Sequence, residues 1–152
     1  MIKNYIKNNN PSHQHFLPYL FEYYSAMHLS KKLNKKFFVY NDIKDIKMKN
    51  IDKNMPHNFP KRDNGIDLID KSLGIIAQCK YYSNNKYITY GNLSTFLASD
   101  KLIGKKFDSY LIRTEDSRID SIVQNIIDRG DMKDICLCKK DFINYVSKIL
   151  QS

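Results

Sequence analysis

No stretch of this 152-residue chain is apolar for long enough to cross a bilayer as a helix, and its first residues lack a signal-peptide pattern. A soluble protein that stays inside the cell is therefore expected. Cysteine is scarce. Cys79, Cys136 and Cys138 are an odd number without a disulfide-scaffold spacing, and all lie in apolar, strand-like runs, so they read as reduced core thiols. A zinc site would need more: one residue separates Cys136 from Cys138, and no second Cys or His pair sits at ligand spacing. The close pair His13 and His15 reads as solvated residues ahead of a helix. Acidic side chains are also in deficit, 16 against 25 lysines and arginines, which leaves a formal net charge of +9. That excess favours a polyanionic partner, nucleic acid first and an acidic membrane surface second. The alternative is an AT-rich genome, in which lysine is the default surface residue.

The rest of the composition is ordinary for a globular chain, with 42% hydrophobic and 27% charged residues, so wholesale disorder is not expected. The length suits one domain and is short for two. Residues 1–14 are polar and asparagine-rich, a flexible N-terminal arm; residues 15–152 form the domain. Phe16, Leu17, Leu20, Phe21, Tyr24, Met27, Leu29 and Leu33 recur at helical spacing, and Pro18 fits a first turn. Residues 35–43 predict a strand. Residues 44–61 are charged and aperiodic and contain two prolines, a loop insertion. Then come two strands over 65–82, a helix over 91–103, a strand over 107–115, a helix ending at Gly130, a strand over 133–141 and a C-terminal helix. Their order, αβββαβαβα, describes an α/β domain with helices on a mixed central sheet.

The stretch "NGIDLIDKSLGIIAQCKYY" carries the chemistry. With a turn at 71–74, Asp67 faces Gln78, Ile69 faces Ile76, and Lys80 neighbours the first pair. The opposite face carries Ile66, Leu68, Ile75, Ala77, Cys79 and Tyr81, a core face. A carboxylate, an amide oxygen and a backbone carbonyl between them suit magnesium. A lysine beside them can orient a water and steady negative charge developing on phosphorus. An edge hairpin with a merely wet polar face has the same pattern, and the strands alone leave both readings open.

"GID" followed ten residues later by "QCK" resembles the Mrr-type branch of the PD-(D/E)xK nucleases, which have the restriction-endonuclease-like fold. "FEYYSAMHLSKKL" is similar to that family's first helix, "GNLSTFLAS" to the helix after Q-x-K, "SYLIRTEDS" to a later strand, and "DICLCKKDF" to the final strand and its helix. The similarity runs from Phe16 to the C-terminus, interrupted by the insertion. It implies a metal-dependent DNA endonuclease. Asp67 would bind Mg²⁺ (Mn²⁺ substituting), Gln78 would stand in for the usual acidic ligand, and the Cys79 carbonyl would complete the set. Lys80 would position the attacking water, and Glu22 would reach the site from the first helix. Gln78 brings no charge, so weaker metal binding is expected than with Glu. "RTEDS" lacks the family's paired threonines, so no phosphate contact is assigned to Thr114 or Ser117. Such domains also occur fused to helicases in bacteria and large DNA viruses, so an ATPase partner or an excised domain is in view, as is a homodimer. The alternatives are an inactive DNA-binding module of the same fold and a Holliday-junction-resolvase-like dimer.

Lys61, Arg62, Lys86, Lys105 and Lys106 flank these strands and are candidate DNA contacts, with Tyr82 among them. Phosphate contacts give affinity without sequence information, and no base-reading element is evident, so weak specificity is expected. The other tyrosines nearby, Tyr81, Tyr87 and Tyr90, read as strand packing rather than base stacking.

Overall fold

The computed structural model describes residues 16–43, 65–82 and 85–151. The N-terminal arm and the 44–61 insertion fall outside these residues. The first helix, α1 (Leu17–Leu33), begins with Pro18 in its first turn and stops at Asn34, whose left-handed φ of 50° lets its N–H reach Ser30 O. Lys31 and Lys32 occupy the last turn, where cations complement the helix dipole.

The expected strand over 35–43 is cut short. Only β1 (Phe37–Val39) is extended, and Tyr40–Ile43 turns into a short helix, α2. The reason is tertiary: the Tyr23 hydroxyl donates to both oxygens of Asp42, at 2.9 and 2.8 Å, and pins the turn to α1. Next come β2 (Leu68–Asp70), β3 (Ile75–Lys80) and β4 (Lys86–Ile88). The single expected helix over 91–103 is two, α3 (Tyr90–Leu97) and α4 (Ser99–Ile103). A capping box between Thr89 and Asn92 starts α3. Then follow β5 (Asp108–Thr114), β6 (Ser117–Ile119), α5 (Ser121–Asp128), β7 (Lys133–Leu137) and α6 (Lys139–Gln151). Gly130, at φ 83°, is the helix stop that the sequence placed after α5.

The main sheet has the order β1-β2-β3-β5-β7. β1, β2 and β3 pair antiparallel, and β3, β5 and β7 pair parallel, giving the expected mixed sheet flanked by helices. β4 and β6 form a separate parallel ribbon. Neither of these three-residue strands is visible in the sequence pattern, because so short a strand forms only where a partner supplies its hydrogen bonds.

The sheet is buried on both faces. Leu68, Ile75, Ala77 and Ile112 pack with α1 and α6 residues such as Phe21, Leu29, Phe142 and Val146. On the other side Ile69, Ile76 and Leu111 pack with Leu93, Phe96 and Val123 of α3 and α5. Each fully buried side chain of this kind contributes roughly 1.5–3 kcal/mol. The hairpin face carrying Ile69 and Ile76, one candidate for a wet surface, is thus covered. Ile66 joins this second core rather than the first, where its alternation with Leu68 had placed it.

The cysteines are free, as expected, but only Cys79 lies against the core; Cys136 and Cys138 are exposed. β7 is the last strand of the sheet, and it turns Ile135 and Leu137 inward and Cys136 outward. Among the described residues no helix is long and apolar enough to cross a membrane.

Candidate active site

The candidate site is built on the β2–β3 hairpin. Leu68 pairs with Ala77 and Ile69 with Ile76, the register expected from a turn at 71–74. The Asp67 N–H donates to Ala77 O at 2.9 Å, so the pairing continues one residue beyond the strand and sets Asp67 beside Gln78. The turn is fixed from within. Asp70, 1% exposed, accepts from the backbone N–H groups of Ser72, Gly74 and Ile75 at 3.2, 2.7 and 2.8 Å. Leu73 takes a left-handed φ of 58° to close it.

The Cys79 N–H donates to Asp67 Oδ2 at 2.7 Å, which fixes the rotation of that carboxylate at the middle of the candidate ligand set. Gln78 is 6% exposed, and its Oε1 has no hydrogen-bond partner among the described residues. An unsatisfied buried amide oxygen costs about 1–3 kcal/mol. It is also the hard-oxygen donor that a divalent cation would take, so the residues present fit such a group.

Gly65, at φ 82°, lies against the Gln78 amide. A Cβ there would stand 3.0 Å from Gln78 Nε2 and 3.0 Å from Phe96 Cβ. Gly65→Ala is expected to cost about 1–3 kcal/mol, through the left-handed backbone and the clash. Urea denaturation should show this loss, while Gly74→Ala, with nothing within 4 Å of its Cβ, should be nearly neutral.

Glu22 is half-buried on α1. Burial pushes the Cys79 thiol well above its ordinary range, and the charges of Asp67 and then Glu22 push it further. The thiol therefore stays neutral. Ser25 of α1 is fully buried, and its hydroxyl has no hydrogen-bond partner among the described residues. Among the described residues no group of three or more His, Cys, Asp or Glu could hold a metal ion. A set drawn from Asp67, the Gln78 amide and a backbone carbonyl is of a different kind, since only one member is an acidic side chain.

Lys80 is half-buried at the end of β3 and pairs in register with Arg113. The sequence did not single out Arg113. It is bound bidentately by Asp134 at 2.9 and 3.0 Å and donates to Ser117 O at 3.0 Å, so it fastens β5, β6 and β7 beside Lys80. Thr114 is fully buried and Ser117 is 3% exposed, with its hydroxyl donating to Thr114 O. Neither presents a hydroxyl to solvent.

The basic candidates are dispersed. Lys61 and Arg62 lie outside the described residues. Lys86 is exposed on β4, its ammonium 5.1 Å from the centroid of the half-buried Tyr82 ring. Lys105 covers Phe107 at 5.6 Å, and Lys106 is exposed beside it. These two precede Asp108, which pairs with Ile75, whereas Lys80 pairs with Arg113. They therefore sit at the opposite end of β3 from Lys80, about 16 Å away at the usual strand rise. Tyr81 packs against Phe21 and Phe142 as expected, with centroids at 5.6 and 5.4 Å. Tyr87 and Tyr90 depart from that expectation, being 51% and 48% exposed.

The mixed central sheet flanked by helices accords with a restriction-endonuclease-like fold. The restriction endonuclease family model Mrr_cat_2 matches residues 38–141. That is more than half of the chain, and the chain belongs to this Mrr-like restriction endonuclease family. The match spans Asp67, Gln78 and Lys80 but begins after α1, so it does not include Glu22. No match was found among curated proteins or among solved structures.

Proposed function

We propose that this domain is a Mg²⁺-dependent DNA endonuclease, with Mn²⁺ able to substitute. The observation that carries the reading is the unpartnered, buried Gln78 Oε1 beside an Asp67 carboxylate already oriented by the Cys79 N–H. Asp67, Gln78 Oε1 and the Cys79 carbonyl would hold the cation, which supplies charge neutralisation at the phosphodiester. The Lys80 ammonium orients the attacking water and faces the negative charge that develops as the P–O bond breaks. Glu22 reaches the same region from α1 and holds a further water. Tyr82, just beyond β3, and Lys86 on β4, with Lys61, Arg62, Lys105 and Lys106 elsewhere, would contact the DNA backbone. Such contacts carry no sequence information, so cleavage is weakly specific unless a helicase or ATPase partner aims it. A homodimer would allow both strands to be cut. The family as a whole uses divalent metals on DNA, and an intracellular location accords with that substrate.

Incubation of plasmid and labelled oligonucleotides in Mg²⁺, Mn²⁺ and EDTA tests this. Cutting is expected in both metals and none in EDTA. Gln78→Glu, which adds a charged ligand, should lower the Mg²⁺ midpoint several-fold. DNA binding without cutting in any metal would instead define an inactive DNA-binding module. Cutting restricted to four-way junctions would define a resolvase.

A further inference from the structure

The β4–β6 ribbon has an outward face that none of the roles above uses. Ile88 is fully buried, and its register partner Ile119 packs against the same core, which turns the residues between inward positions toward solvent. On that outer face Tyr87 pairs in register with Arg118, so the two residues stand on adjacent strands whose backbones lie about 4.8 Å apart. Tyr87 is 51% exposed and Arg118 is exposed. Among the described residues neither side chain has a hydrogen bond, an ion pair or a ring partner. Two contacts tie the base of the ribbon to its surroundings. The Arg113 guanidinium donates to Ser117 O at 3.0 Å, and Lys86 caps the Tyr82 ring. Both strands grow from the ends of β3 and β5 where Lys80 and Arg113 lie, so Tyr87 is within roughly 25 Å of Lys80 even along a fully extended chain.

We propose that this face is a single-strand platform: Tyr87 stacks on an unpaired base and Arg118 holds an adjoining phosphate. An exposed ring beside a cation, on a chain of net charge +9, fits the two chemical features that unpaired DNA offers together, an open base face and a phosphate. Paired DNA withholds the first. The substrate of the site is therefore DNA with an unpaired segment, such as a single strand, a flap or a fork. This deepens the nuclease reading and rests on it for DNA as the polyanion.

The test is fluorescence anisotropy of the full chain in EDTA, which prevents turnover. The probes are a single-stranded oligonucleotide, the same strand carrying abasic sites, and a blunt duplex. Wild type is expected to bind the intact single strand more tightly than the abasic one. Tyr87→Ala should weaken single-strand binding by about 5- to 150-fold and shift duplex binding less than twofold, while Tyr87→Phe should bind as wild type does. Arg118→Ala should weaken both probes and lower the salt dependence by about one phosphate contact. Circular dichroism of each variant controls for folding. Equal binding by Tyr87→Ala and wild type, or an equal loss on single strand and duplex, overturns the platform. Separately, absence of cutting in Mg²⁺ with Tyr87-dependent single-strand binding intact would overturn only the nuclease reading.

Discussion

Lys80→Ala is expected to lower the single-turnover rate of DNA cleavage by about 10²–10³-fold, the scale of losing one preorganised electrostatic contact to a transition state. Lys80 is half-buried at the end of β3, a partly desolvated setting in which its ammonium would interact more strongly with developing charge. Binding should survive, because removing one cation from a chain of net charge +9 leaves most of its long-range attraction for DNA intact. Lys80→Arg keeps the charge but replaces a compact ammonium by a planar fork, and should recover only part of the rate. Cleavage that persists at wild-type rate in Lys80→Ala would place the chemistry elsewhere on the chain.

Asp70→Ala should be the most destabilising single substitution in the hairpin, by about 3–5 kcal/mol. The carboxylate is 1% exposed and accepts three backbone N–H groups of the turn. Its removal strands those donors around Leu73, whose left-handed conformation is already unfavourable for a side chain of that size. Asp70→Asn retains an acceptor oxygen and should lose less, about 1–2 kcal/mol. Urea midpoints with unchanged slopes would measure both. The same turn sets the hairpin register, so the alanine variant should also lose cleavage at temperatures where it remains folded. A denaturation midpoint equal to wild type would show that the turn holds without its carboxylate.

Much of this was legible in the chain. The turn at 71–74 and the two flanking strands follow from local pattern, and the pairing of Ile69 with Ile76 follows from the turn length. The helical spacing of Leu17 to Leu33, with no interrupting glycine, defined α1, and Gly130 marked the stop after α5. These are decisions made within a few residues, where periodicity and backbone preference dominate. The candidate residues Asp67, Gln78 and Lys80 could be named for the same reason, since one short stretch of chain contains them all.

What the sequence could not decide depends on which element lies against which. Alternation along β3 does not reveal that α3 covers the face carrying Gln78, and only that burial separates an unpartnered amide oxygen from a wet one. Lys105 and Lys106 are near Lys80 in a list of basic residues, yet parallel pairing of β5 with β3 carries them to the far end of the strand. Cys136 and Cys138 sit in an apolar run that promised burial, but an edge strand has one face turned partly to solvent. The β4–β6 ribbon has no local signal at all, because three residues form a strand only when a partner supplies the hydrogen bonds. Sequence by itself thus determined the hairpin and its register, and named the residue types of the candidate site. Tertiary structure alone decided what is buried beside them and that Tyr87 and Arg118 face outward together, because burial and adjacency are set by contacts between segments distant in the chain.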